Sequence, residues 1–219
     1  MKKILLPFLF CGAILSAATV TVSVQSADPI VPVPAENGAP AGPYTLIVDG
    51  NSVLGMCMDD FRGADGMWTA NVTSLANPNL SNTVLGNNAN VFGYQVDSAQ
   101  MYSMEAYLFE QLIKPGADRA DIQLAAWALM DPDTLNNLLH SHNTVADAYV
   151  VAAYENISAV NTAGFEILSD VGGTHQEFMT STPEPGSLAL LGAGLLAVGA
   201  SRFLRRKKVT FAAELPAVV

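Results

Sequence analysis

The sequence predicts an α+β fold: a small antiparallel β-sheet or barrel with an inserted helical subdomain, flanked by a signal peptide and a C-terminal membrane-spanning helix. Three observations predict it. Short apolar or alternating runs separated by turn residues precede Asn77. Beyond Asp97 the apolar period becomes helical, and strand character returns at Phe165–Asp170 (FEILSD). Strands, then helices, then a closing strand suit one α+β domain over about 44–171. No internal repeat is evident.

The elements follow in order. Residues 1–27 read as a secretory signal: Lys2 and Lys3 start it, Ile4–Leu15 is an apolar run, and small residues follow. Ser16 and Ala18 suit the −3 and −1 positions of a cleavage site, and Ser26–Ala27 offers a later one. An N-terminal membrane anchor is the alternative. Cys11 follows Phe10, where a lipoprotein site needs a small residue, so lipidation is not expected. Residues 28–43 (DPIVPVPAENGAPAGP) lack helical periodicity and read as a Pro/Ala/Gly-rich linker. Tyr44–Val48 and Val53–Met58 are apolar runs joined by Asp49-Gly50-Asn51, a hairpin signal. Trp68–Leu75 alternates as a half-buried strand does, and 77–90 is rich in Asn, Ser and Gly, as loops are.

Met101, Met104, Leu108 and Leu112 form one helical stripe that Pro115-Gly116 ends. Asp118, with Asp121 three residues on, caps a second helix running to about Met130. Asp131-Pro132 opens a third helix, Asp133–His140, and a fourth covers about Thr144–Ile157. Residues 172–185 read as a polar spacer.

Charge separates the ends from the middle. The 219 residues carry a net charge of -10, yet the stretch 28–185 holds only Arg62, Lys114 and Arg119 as cations. Such an acidic body excludes nucleic acid as a partner, because phosphate recognition needs a basic face. The mean hydropathy of +0.30 comes largely from the two ends.

At the C-terminus Pro183-Glu184-Pro185 precedes the apolar run Leu188–Ala200, and Arg202, Arg205, Arg206, Lys207 and Lys208 follow as a membrane stop. Thirteen residues reach only about 20 Å of a ~30 Å hydrocarbon core, unless Arg202 snorkels and Phe203 and Leu204 extend the span. Cations after the segment hold that end in the cytoplasm. Triplet, span and basic cluster together resemble the PEP-CTERM sorting signal, here 183–208, which exosortases of Gram-negative-type bacteria recognise and cleave. The departure is an eleven-residue tail, Val209–Val219. The resemblance implies an exosortase-type sorting protease as partner and a membrane-spanning sorting helix that only transiently anchors the chain in the inner membrane. The product would lie in the cell envelope, at the surface or in the matrix. A permanent tail anchor would leave the domain outside the membrane too.

Two residues stand out for chemistry. After signal removal Cys57 is the only cysteine, so it has no internal disulfide partner. It is a packed hydrophobe, a link to another chain, or a chemically used thiol. Gln123 is the one strongly polar side chain in Ile122–Met130 (IQLAAWALM), a helix apolar nearly all round. Unpaired, its carboxamide would cost about 1–3 kcal/mol. Either the backbone hydrogen-bonds it, or it is consumed: a cysteine sulfur attacks the carboxamide carbon, expels ammonia and leaves an internal thioester. That chemistry needs a dry, oriented pair on rigid elements. Trp127, one turn beyond Gln123, can shield the bond.

Cys57 in GMCMDDF and Gln123 in IQLAAW resemble the two signature motifs of bacterial surface thioester domains. Tyr102–Leu108 (YSMEAYL) is similar to a helix found upstream of the glutamine motif in exported proteins with this sorting signal. The resemblance spans about 44–130, and Met56 departs from it where an aromatic or leucine is common. It implies a Cys57–Gln123 cross-link shielded by Trp127 and Phe61, and a thioester-like domain over 44–171. The expected function is single-use covalent adhesion to an amine-bearing surface or matrix partner, with no turnover, so no enzyme. No cofactor and no metal are expected. The alternative is a passive structural matrix or biofilm component whose Cys57 is packed and unreactive.

Other candidates are weaker. His140 and His142 diverge on a helix, His175 lies in the spacer, and a cysteine hydrolase pairing Cys57 with His140 has no third member. Asp59, Asp60 and Asp65 match no standard calcium loop.

Overall fold

Asp49 and Gly50 both take positive φ, 47° and 81°, as a two-residue type I′ hairpin turn requires. The turn joins β4 (Tyr44–Val48) to β5 (Asn51–Cys57) in the register Tyr44↔Gly55 to Val48↔Asn51. This hairpin is one part of a closed barrel. The computed structural model describes residues 18–27, 31–33, 39–76, 78–91, 95–134 and 144–181. The chain divides after Ser181 into two units, and all described residues belong to the first.

Six strands close the barrel in the order β1-β4-β5-β8-β7-β6, every pairing antiparallel. The others are β1 (Thr19–Ala27), β6 (Met67–Ser74), β7 (Phe165–Asp170) and β8 (Phe178–Ser181). Alternation along each strand sends Val22, Leu46, Cys57, Trp68, Ala70, Leu168 and Phe178 into one buried cluster. Gly55 leaves room there: a Cβ on it would lie 2.5 Å from Leu46 Cδ1, so that the Leu46 side chain would have to shift. The opposite side of the β5–β8–β7 wall turns Met56, Met179, Ile167 and Phe165 into a second cluster shared with helices.

Those helices are inserted between β6 and β7: α1 (Ser98–Leu112), α2 (Arg119–Met130) and α3 (Thr144–Glu155). Asp97 and Gln100 form a capping box on α1, worth about 1 kcal/mol. The predicted stripe Met101, Met104, Leu108 and Leu112 is buried, and Phe109 meets Phe165 at 6.1 Å between ring centroids. Every residue from Ile122 to Met130 on α2 is buried. Its Leu124, Trp127 and Ala128 join the barrel cluster, while Ile122, Ala125, Ala126 and Leu129 join the helical one. An all-round apolar helix is what a position between two cores requires.

The structure corrects three boundaries. Thr19–Ala27, assigned above to the signal peptide, is a barrel strand hydrogen-bonded on both sides. A cut after Ala27 would open the barrel, whereas one after Ala18 spares it. The linker 28–43 contains β2 (Val31–Val33) and β3 (Ala39–Ala41), which pair with each other and pack on α2. The spacer 172–185 contains β8, seated between β5 and β7, so the domain runs to Ser181 rather than 171. Among the described residues no helix is long and apolar enough to cross a membrane. The signal region before Ala18, the sorting triplet, Leu188–Ala200, the basic cluster and the tail lie outside them, as do His140, His142 and most of the third predicted helix.

Candidate functional site: a cysteine and a carboxamide in one apolar cluster

Cys57 ends β5 with its side chain fully buried. Its register partner is Phe178 of β8, and α2 packs on β5. The thiol donates to the backbone oxygen of Asp59 at 2.9 Å. Burial pushes the thiol pKa well above its ordinary value, and the Asp59 carboxylate pushes it further. The Trp127 indole N–H makes no hydrogen bond of full geometry, but it lies near enough to the sulfur to favour the thiolate slightly. As a free thiol, Cys57 is thereby driven toward its neutral form.

Gln123, 66 residues on, comes to the same place. Its Nε2 donates to the Cys57 carbonyl oxygen at 2.6 Å, and its Oε1 accepts from the Gly42 amide at 3.1 Å. A buried carboxamide with a donor and an acceptor at its two ends has one orientation, since a flip would set like against like. Gly42 also leaves the room, because a Cβ there would sit 3.2 Å from Gln123 Oε1. The two predicted residues are thus brought into contact through the cysteine's own carbonyl.

The surrounding cover is aromatic. Trp127 is buried, Tyr44 packs edge-on against Phe178 at 5.8 Å, and Phe178 packs against Trp68 at 6.0 Å. The Tyr44 hydroxyl donates to the Pro40 carbonyl. Burial, and then Cys57, hold the Tyr44 phenol above its ordinary pKa. Phe61 is not in this cover. It is half-exposed, with the Arg62 guanidinium 4.8 Å over its ring, because the chain leaves the sheet after Cys57 and turns outward there.

A buried acidic group lies beside the thiol. Glu177 accepts from Tyr102 Oη at 2.6 Å, from the Val84 amide at 3.0 Å and from Ser169. Asp59 Oδ2 accepts from the Glu177 amide at 2.7 Å, with Arg62 3.9 Å away. Glu105, on the buried side of α1, has no hydrogen-bond partner on either carboxylate oxygen. Burial, then the charges of Glu177 and Asp59, hold Glu105 well above the carboxylate range. Burial pushes Asp59 up to about 7.

His175 sits in the β7–β8 connection, stacked on Trp68 at 4.7 Å with 8° between planes. Its Nδ1 meets Asp170 Oδ2 at 2.9 Å. Burial opposes the Asp170 charge, but bonds from His175 and from the amides of Gly172, Thr174 and His175 outweigh it and hold that carboxyl below its usual range. Asp65 is exposed and Asp59 buried, so the acidic run does not gather. Among the described residues no group of three or more His, Cys, Asp or Glu is arranged to hold a metal ion.

Sequence reasoning missed Gly42, Tyr44, Glu105 and Glu177. Only Glu105 had a signal: it falls on the Met101–Leu108 stripe, four residues after Met101 and three before Leu108. No curated protein and no solved structure matches the chain. Residues 181–207 match the PEP-CTERM protein-sorting motif, so the chain carries the signal of an exported surface protein processed by an exosortase.

Proposed function

We propose that this exported domain is a single-use covalent adhesin, armed by a thioester between Cys57 and Gln123. The reading rests on one observation: the Gln123 carboxamide is hydrogen-bonded to the Cys57 carbonyl at 2.6 Å inside a fully buried apolar cluster. Sγ bonds to the amide carbon Cδ, the Cδ–Nε2 bond breaks, and the thiol proton leaves on nitrogen as ammonia. The Gly42 N–H, already on Oε1, stabilises the negative charge that oxygen acquires. Orientation contributes most, since both residues sit on packed elements and effective concentration is high. Later an amine of a surface or matrix partner bonds to Cδ, the Cδ–Sγ bond breaks, and the amine's proton restores the thiol. An amide remains and nothing turns over.

Intact-mass measurement of the secreted, folded domain tests this. The expected mass is short by one ammonia, Cys57 resists alkylation, and adding methylamine converts the protein to its amide adduct. A full-mass protein with Cys57 alkylated after unfolding sinks the proposal. It would leave a passive matrix component, which the bonds at both ends of the carboxamide and the thiol bond to Asp59 favour.

A further inference from the structure

A surface groove of about 320 Å³ lies beside the site, lined by Gln25 of β1, Pro40 and Tyr44, and the Ala64–Gly66 turn. Its Pro40–Tyr44 wall is unusual in what else it touches. Gly42, between them, donates to Gln123 Oε1. Tyr44 pairs with Gly55, the inward neighbour of Cys57 two residues along β5, and belongs to the same buried cluster as Cys57. One five-residue segment is therefore both the wall of the groove and the wall of the reacting pair. The rim carries the exposed carboxylate Asp65, for which no ion pair is formed among the described residues.

We infer that this groove is the path by which the partner's amine reaches the Gln123 acyl carbon, and that its occupant is a lysine side chain. The geometry selects a slim aliphatic stem carrying a cation: Pro40 and Tyr44 offer apolar surface for methylenes, and Asp65 offers the opposite charge at the mouth. The ammonium gathers at Asp65, loses its proton to solvent, and the free amine passes Tyr44. Passage requires the Tyr44 ring to shift from its edge contact with Phe178, while its hydroxyl stays on Pro40 of the same segment. The inference rests on the proposed thioester and adds the route and the charge of the nucleophile.

The test uses the full secreted domain and two variants, Gln25→Trp and Asp65→Asn. Both positions are exposed, away from the Cys57–Gln123 pair, so the ammonia deficit should persist in each. Capture of N-acetyl-lysine amide and of neutral hydroxylamine is followed by mass. Gln25→Trp should slow both by at least about tenfold, since it fills the path. Asp65→Asn should slow only the lysine compound, by roughly fivefold at low salt, the Coulomb factor for one nearby charge. Unchanged rates in both variants, with the deficit present, overturn the route and leave the thioester standing. Absence of the deficit in the parent protein overturns both.

Discussion

Gln123 and Glu105 make an instructive pair. Both are polar, both fully buried, and they lie on consecutive helices packed against each other. The Gln123 carboxamide has a donor at one end and an acceptor at the other, supplied by the bend before β4 and by β5, 81 and 66 residues away. The Glu105 carboxylate has neither, and its nearest charges are of its own sign. A buried group paired at both ends is held in one pose; one left unpaired is driven toward its neutral form. Orientation is concentrated on the barrel side of α2 and electrostatic strain on the α1 side, with the thiol touching both through Asp59.

The comparison can be broken first at Gln123. Gln123→Ala strips the Gly42 N–H and the Cys57 carbonyl of their partner in a dry cluster and leaves a void. Stability should fall by about 4 kcal/mol in urea unfolding, and the ammonia deficit should vanish. A loss under 1 kcal/mol would mean water replaces the carboxamide.

The second effect is pH. Asp59 rises from an ordinary 3.8 to about 7 in the folded protein, so folding favours its protonated form. Its contribution to stability is complete below about pH 4 and is lost as pH rises through 7, with a slope of up to about 1.4 kcal/mol per unit. Unfolding between pH 8 and 5 should therefore show stability increasing on acidification, and Asp59→Asn should flatten that slope. Below pH 4 the trend reverses, as Asp170 loses its stabilising charge. A flat profile in the parent protein would place Asp59 in contact with solvent.

Third, replacing the unpaired acid with a hydrocarbon should help. Glu105→Leu is expected to stabilise by about 1–3 kcal/mol at pH 8, and by less at pH 5, because holding the acid neutral in the fold costs less as pH falls. Destabilisation at both pH values would reveal a partner for the carboxylate. The smallest effect is expected at Phe61. Phe61→Ala should change stability by less than about 0.5 kcal/mol and leave amine capture unaltered, because the ring is at the surface.

What the sequence made legible were features with a local cause. Asp49-Gly50 specifies its hairpin through backbone angles, the α1 stripe through its period, and β7 through the run Phe165–Asp170, whose observed bounds agree with the predicted ones. Strands without such a signature were lost. β1 is Val-rich and directly follows an apolar leader, β2 and β3 are three residues each with a proline in the middle, and β8 has four residues. Cys57 and Gln123 were singled out because each is chemically isolated in its segment, and a hydrogen bond joins them in the fold. Gly42 and Tyr44 were not, since their roles come from contacts across the barrel that no nearby spacing encodes. Phe61 closes the GMCMDDF motif that carries the resemblance, and the outward turn after β5 takes its ring to the surface.

The last stave of the cylinder ends at Ser181, the residue at which the sorting-motif match begins, and only Thr182 stands before Pro183. Extended backbone bonded to neighbours on both flanks is a poor substrate for any peptidase, because it must be peeled free before it can be cut. The fold thus guards its own edge: a peptidase that strays a few residues upstream meets a strand bonded on both flanks.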